Sequence, residues 1–426
     1  MATILITLGL ILLALFGAPL FSIIGAIALI AFSFVGIDMS AVIIELYRIA
    51  ETPTLIAIPL FTFAGYMLAE SKSPKRLVAL AQAMFGSLPG GLAIVVLLTS
   101  AFFTAFTGAS GVTILALGGL MYPILLSHKY PEKFSLGLVT TSGSLGLLFP
   151  PSLPIILYAL ISKSSVDKLF VGGIVPGFVL VLFLSTYAVY IGKRKNIPRE
   201  QFSASNVMKA VKGAAWEIPL PFLVVGGIYG GAFTATEASA ITAFYVLIIE
   251  VFIYKDLKLF SDVPKIMKES MLLVGAILMI LGAALGLTNY LITEEVPQRL
   301  FEVVQSQISS KFTFLIILNL FLLVVGMMMD IFSAIIVVVP LILPIAQAFG
   351  VHPIHLGIIF LTNLEIGYLT PPVGLNLFLS SLRFRKTVLD VTRATIVYIG
   401  ILLIALLLIT YMPDLSLWLV NALGVK

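Results

Sequence analysis

The chain has 426 residues, 60% of them hydrophobic and only 11% charged, with a formal net charge of +5 and no cysteine. Soluble domains carry about 25% charged residues, so with a mean hydropathy of +1.15 this is a polytopic helical membrane protein and not a water-soluble fold. Long continuous apolar runs exclude a transmembrane β-barrel, the missing thiols exclude disulfide and thiolate chemistry, and basic residues scattered through short loops make no nucleic-acid surface.

The N-terminus is apolar from Thr3 and has neither a basic leader nor a small-residue cleavage site, so it reads as a retained first helix. Runs of spanning length lie at about 3–18, 20–36, 53–70, 134–161, 171–192, 217–232, 236–254, 270–292, 356–381 and 394–412. Residues 39–52 do not span. There Glu45, Arg48 and Glu51 mix with Val42, Ile43, Ile44, Leu46, Tyr47 and Ile49, which suits an amphipathic arm in the membrane interface or a plain linker. Two longer runs, 91–127 and 312–350, are broken near the middle by Thr107-Gly108-Ala109-Ser110-Gly111 and by Met329-Asp330-Ile331-Phe332-Ser333. Each is two spans or one re-entrant hairpin. The most polar stretch, 193–216, separates two halves, 1–200 and 201–426.

A double proline occurs once in each half, as Gly146-Leu147-Leu148-Phe149-Pro150-Pro151 and as Gly367-Tyr368-Leu369-Thr370-Pro371-Pro372. Proline removes a backbone donor and breaks a helix. In lipid such a break survives only where protein or a water-filled cavity satisfies the freed groups. Paired breaks in corresponding positions point to a substrate or ion site at the membrane midplane of a secondary transporter. Other matches keep the same register. Pro74-Lys75-Arg76-Leu77 pairs with Pro297-Gln298-Arg299-Leu300, Pro123 with Pro344, and Ser135-Leu136-Gly137 with His355-Leu356-Gly357. The chain reads as an internal repeat.

Charge sets the orientation. If 91–127 and 312–350 are hairpins, the loops at 71–76, 128–133, 193–217, 255–269 and 383–393 share one face and hold 19 of the 25 Lys and Arg. That face is cytoplasmic by the positive-inside rule. Both termini are then on the opposite side, and the halves are inverted relative to each other. Reading either run as two spans reverses every later loop, so the bias favours hairpins.

Two constellations carry chemistry. The first joins Thr107, Gly108, Ala109, Ser110 and Gly111 to Thr140, Thr141, Ser142 and Ser144 and to Pro150-Pro151. Unwound carbonyls and hydroxyls are hard neutral ligands for a small cation such as Na⁺, and half-helix N-termini favour an anion. Small residues also serve simply to let helices pack closely in lipid. The second constellation is Asp330, Ser333, Thr362, Asn363, Glu365, Gly367, Thr370, Pro371, Pro372 and Asn376. Ionisable groups in the membrane default to functional sites. Asp330 is placed to cap a helix, to ligate a cation, or both. Glu365 suits a partner base or a proton site, and Glu237 a helix N-terminus. His128, His352 and His355 fall at loop edges, with no metal-ligand or Ser–His–Asp pattern and no Walker loop. The chain is expected to be no enzyme, to need no cofactor and to draw energy from an ion gradient or a partner.

These motifs are similar to those of a known family, the DctM-type large membrane subunit of tripartite ATP-independent periplasmic (TRAP) transporters. The resemblance spans essentially the whole chain. It is carried by Leu88-Pro89-Gly90-Gly91, the 107–111 break, Leu148-Phe149-Pro150-Pro151-Ser152, Gly172-Gly173-Ile174-Val175-Pro176-Gly177 and, most specifically, residues 363–376 from Asn363-Leu364-Glu365-Ile366-Gly367 to Asn376. It implies a Na⁺-coupled importer in the bacterial inner membrane, taking a C4-dicarboxylate or a sialic or sugar acid. A small four-helix membrane subunit and a periplasmic substrate-binding protein would be separate chains. It implies an elevator-type fold of two inverted repeats. The transport domain would be about 91–161 plus 312–381, the remaining helices a scaffold, and 39–52 a bracing arm. The first tip is less Ser-rich than the common family pattern. A stand-alone Na⁺- or H⁺-coupled dicarboxylate carrier is the alternative.

Overall fold

The computed structural model describes residues 16–36, 51–199, 201–308 and 310–424 without a gap, and 9, 12, 13, 38–40, 42–44 and 47 besides. Most of the expected first span at 3–18 lies outside the described residues, as do residues 41, 45, 46 and 48–50 of the expected arm at 39–52. Within them every regular element is helical.

The first half runs α1 (Leu20–Val35), α2 (Ala57–Glu70, entered by a 3₁₀ turn), α3 (Ser73–Phe85), α4 (Gly91–Thr107), α5 (Ser110–Ser127, with a π turn at Ile114–Gly118), α6 (Glu132–Ser142), α7 (Leu153–Ser162) and α8 (Val166–Arg194). After α9 (Ala204–Gly213), α10 (Pro219–Tyr229) and α11 (Ala235–Ile253) come α12 (Asp262–Thr293), α13 (Val296–Gln307), α14 (Lys311–Met328), α15 (Ile331–Ala348), α16 (Pro353–Gly367), α17 (Leu375–Phe384), α18 (Val388–Tyr411) and α19 (Asp414–Ala422). One succession occurs twice. A long apolar helix (α2, α12) precedes a helix with proline in its first turn (α3, α13). Two helices parted by a two-residue break follow (α4–α5, α14–α15), then a helix leading to a double proline (α6, α16), a short helix (α7, α17) and a long span (α8, α18). The Pro150-Pro151 and Pro371-Pro372 bonds are both cis.

Eight helices among the described residues are long and apolar enough to cross a bilayer, and the α6–α7 pair, bent by 43° at the first double proline, supplies a broken ninth. The expected span at 217–232 is not one. It forms only α10, well short of the roughly 20 residues a crossing needs. Proline at 219 and 221 and a π turn at Phe222–Gly226 interrupt its regular ladder.

Helices apolar on every side belong in an interior, and α4, α6, α7 and α16 are indeed buried along almost their whole length. Their hydroxyls bond back to the preceding turn, Thr99 Oγ1 to Val95 O at 2.6 Å, Thr140 Oγ1 to Leu136 O at 2.8 Å and Thr362 Oγ1 to Ile358 O at 2.7 Å. By contrast α12, α14 and α18 turn Leu272, Met279, Leu320, Val324, Ile396 and Ile404 outward, as lipid-facing helices do. Helices also exchange between halves, since α1 packs on α12 while α11 packs on α2.

One charged cluster lies at the ends of these helices. The Arg76 guanidinium donates to Glu217, to Asp256 and, at 3.0 Å, to Glu250, and rests 3.7 Å over the Tyr254 ring. Glu217 and Glu250 are fully buried. Burial opposes the Arg76 charge, but the hydrogen bonds to Asp256 and Glu217 outweigh it and hold its pKa above the usual range. Lys72 adds a second cation 3.2 Å from Asp256.

Candidate functional site

The first break begins where α4 stops at Thr107. Gly108 turns into the left-handed region (φ 64°), its N–H donating to Thr104 O at 2.8 Å, and Ala109 is extended before Ser110 opens α5. Side chains converge here from both halves. Ser110 Oγ donates to Asn376 Oδ1 at 2.7 Å, Asn376 Nδ2 reaches Thr140 O at 3.4 Å, and Thr140 Oγ1 bonds Ser380 Oγ at 2.9 Å. All four residues are buried. Alongside, Thr104 Oγ1 donates to Gly143 O at 2.7 Å and pairs with Thr113, while Ser100 Oγ donates to Ser142 Oγ at 3.0 Å. The cluster is thus hydroxyl, amide and carbonyl oxygen with no charged side chain, a donor set that suits a small hard monovalent cation. The N-terminus of α5, which meets α17 here, has no side-chain cap, and its first N–H groups suit a carboxylate; at α17 Asn376 N donates to Tyr368 O at 3.1 Å and Leu377 N to Gly374 O at 2.8 Å.

The second break differs. Asp330 caps α15, its Oδ1 accepting from Phe332 N and Ser333 N at 3.0 Å each, and Ser333 Oγ donates to its Oδ2. The tip is clamped to the second double-proline segment. Ile331 N donates to the Tyr368 hydroxyl oxygen at 2.6 Å, and Gly374 N to Met327 O at 3.2 Å. Asp330, Pro371 and Pro372 are exposed, whereas Pro151 is buried and Pro150 half-buried. The two breaks are not equally enclosed.

Other sequence-derived candidates scatter. Thr107 Oγ1 reaches only Ala109 O, at 3.4 Å. Gly111 lies against Leu379. Ser144 Oγ bonds Thr141 O at 3.4 Å, and the Thr141 hydroxyl is buried with no hydrogen-bond partner among the described residues. Pro150 faces an apolar cavity of about 390 Å³ with Phe102, Phe106, Phe149, Phe178 and Phe222, not the polar cluster. Asn363 is drawn away: its Nδ2 donates to Asn319 Oδ1 at 2.7 Å, and Asn319 Nδ2 to Thr410 Oγ1 at 3.1 Å. Thr362 is spent on its own helix, as is Thr370, whose Oγ1 donates to Ile366 O at 3.0 Å. Gly367 is a packing contact on Gly326 of α14. Both Glu365 oxygens are buried without a hydrogen-bond partner among the described residues. Glu237 closes a capping box with Thr234. His355 is buried between Ser416 and Thr410, not at a loop edge as its place in the sequence suggests.

Sequence reasoning missed Ser380, Thr104 and Asn319. Ser380 had a readable signal, four residues after Asn376 and therefore on the same helical face.

A sequence profile described as "Tripartite ATP-independent periplasmic transporter, DctM component" matches residues 7–415. The C4-dicarboxylate TRAP transporter large permease protein DctM of Pseudomonas aeruginosa is 36% identical over 403 residues, 94% of each chain. The isethionate TRAP transporter permease protein DctMQ of Oleidesulfovibrio alaskensis is 35% identical over 361 residues, 84% of this chain and 57% of that protein. The ectoine TRAP transporter large permease protein TeaC of Halomonas elongata is 30% identical over 383 residues, 90% of each. The crystal structure of the Alcanivorax borkumensis YdaH transporter aligns with a TM-score of 0.62 over 90% of this chain and 88% of that one, at 12% identity, a likeness of fold alone.

Proposed function

The chain belongs to the DctM-component family of tripartite ATP-independent periplasmic transporters, and from that premise we propose that it is the large membrane subunit of a Na⁺-coupled importer of an organic acid. It is a multi-pass protein of the bacterial inner membrane and a transporter, not an enzyme. A C4-dicarboxylate is the substrate of choice, since a relative identical at 36% over 94% of both chains carries that name. Isethionate and ectoine relatives mark a wider range of small polar acids and zwitterions. Sialic or sugar acids are the rival substrates.

The observation that supports this reading best is the buried cluster of Ser110, Thr140, Asn376 and Ser380, built from both halves out of neutral oxygens. Na⁺ ligated by these oxygens and the neighbouring carbonyls would fix the first tip against α17. A substrate carboxylate would then meet the uncapped N-terminus of α5. On this reading 91–127 and 312–350 are re-entrant hairpins of two inverted repeats. Residues 91–161 and 312–381 move as an elevator against the remaining helices, with 39–52 as a brace. A small membrane subunit and a periplasmic binding protein complete the system.

Uptake of labelled succinate and sialic acid into proteoliposomes holding this chain and its small partner tests the proposal. The expected result is succinate uptake that needs both an inward Na⁺ gradient and the binding protein. Uptake indifferent to Na⁺ overturns the coupling, and uptake without a binding protein moves the chain to a stand-alone carrier.

A further inference from the structure

Residues 193–216 take no part in the site described above. α8 ends in Lys193 and Arg194, and Lys195, Arg199, Lys209 and Lys212 follow. Between them α9 lies across α3. Ser203, Val207, Ala210 and Val211 are half-buried, one stripe at helical spacing. The Ser203 hydroxyl caps the helix by accepting from Asn206 N at 3.4 Å. Around this segment Phe202, Met208 and Trp216 are 65%, 57% and 45% exposed. Exposed aromatics flanking a short lysine-bearing helix that follows the spanning α8 are what an interfacial segment presents to a bilayer surface.

A groove of about 450 Å³ runs between α3 and α9. Its charged lining residues are Arg76 and Lys209, and Gln82, Gln201, Asn206 and Ser87 line it with amides and a hydroxyl. The three carboxylates that hold Arg76 are not part of this lining. Lys209 and several neutral polar groups, with no acid among the lining residues, fit an anion that carries several acceptor oxygens, while the Arg76 guanidinium facing the groove is already held by Glu217, Glu250 and Asp256. We propose that this groove binds the phosphodiester headgroup of an anionic phospholipid of the cytoplasmic leaflet, with Lys209 as the charge that selects it and Phe202 at the acyl side. The leaflet follows from the distribution of Lys and Arg along the chain. A lipid seated here bears on α3, which leads through Gly90 into α4.

The test is native mass spectrometry of the purified full chain after incubation with phosphatidylglycerol, phosphatidylcholine, soluble glycerophosphoglycerol or inorganic phosphate. Phosphatidylglycerol is expected to be retained and phosphatidylcholine not. Lys209→Gln is expected to weaken retention about fivefold, whereas Lys212→Gln, outside the groove, leaves it unchanged. Asn206→Asp, which puts a carboxylate into the groove, is expected to weaken it independently of Lys209. Melting temperatures in lipid-free detergent establish that each variant is folded. Equal loss in Lys209→Gln and Lys212→Gln overturns the proposal in favour of diffuse surface charge. Equal retention of both lipids overturns it as well. Displacement by glycerophosphoglycerol or phosphate at the concentrations at which the lipid binds would make the groove a soluble-anion site and also overturn it.

Discussion

Asn376 joins the two halves with one amide, accepting from Ser110 through Oδ1 and donating toward Thr140 O through Nδ2. Asn376→Ala strips partners from a buried hydroxyl, a cost of about 1–3 kcal/mol. It is expected to lower the melting temperature and to raise the Na⁺ concentration for half-maximal uptake at least tenfold. A Na⁺ titration unchanged from wild type would remove the cluster from ion binding. Asp330 poses a different question, because its carboxylate is committed to capping α15. Asparagine caps as well as aspartate. Asp330→Asn should therefore keep wild-type stability and still blunt the Na⁺ dependence of uptake, while Asp330→Ala should lose about 1 kcal/mol as well. If Asp330→Asn titrates with Na⁺ as wild type does, Asp330 only caps. Asn376 was legible because it lies in a specific run of sequence. Thr104 and Ser100 were not, since one hydroxyl in an apolar run reads equally well as close packing and only the fold brings it to Gly143 or Ser142.

At the scale of elements, the breaks were the most legible part of the chain. A small-residue run inside apolar sequence and a double proline each have a direct backbone consequence. The interruption in α10 was missed, because its prolines at 219 and 221 are separated and lie at the helix start, and its π turn has no residue signature. Gly146 and Gly367 precede the two double prolines by the same number of residues, and each lets its segment close on the first arm of the neighbouring pair. A Cβ on Gly146 would sit 2.3 Å from Ala101 O, and one on Gly367 2.4 Å from the Gly326 carbonyl carbon. Alanine at either is expected to cost about 1–3 kcal/mol through overpacking. Gly275→Ala in α12, where a Cβ meets nothing within 4 Å, should be neutral or slightly stabilising. Thermal unfolding in detergent compares the three, and a neutral Gly367→Ala would refute the close-packed reading.

For the molecule as a whole, the Arg76 cluster ties α3 to the end of α11 and to the segments before α10 and α12. Its members are dispersed between positions 72 and 256, a separation that helical periodicity does not bridge, so the cluster was not legible before the fold was known. Arg76→Met leaves Glu217 and Glu250 buried without their cation and is expected to cost about 3 kcal/mol or more, read as a lower melting temperature. The cluster also sets an acid limit. Burial raises the Asp256 pKa, but hydrogen bonds and charge from Arg76 and Lys72 override it, and the carboxyl ends below its ordinary value. A folded-state pKa below the unfolded one gives stability that is complete above the unfolded value and lost as pH falls through the folded one. Melting temperature should thus fall on acidification below about pH 4, and less steeply in Asp256→Asn. A variant that follows the wild-type curve would rule Asp256 out as the source.

The packing of α1 on α12 and of α11 on α2 bears on how the protein is made. Synthesis proceeds at about 5–20 residues per second, so roughly five to twenty seconds separate the arrival of the first 200 residues in the bilayer from the completion of α12 at Thr293. Until then α1 is inserted but lacks its partner α12. The nascent half waits in the lipid, and the membrane insertion machinery must shelter surfaces that the finished protein never shows.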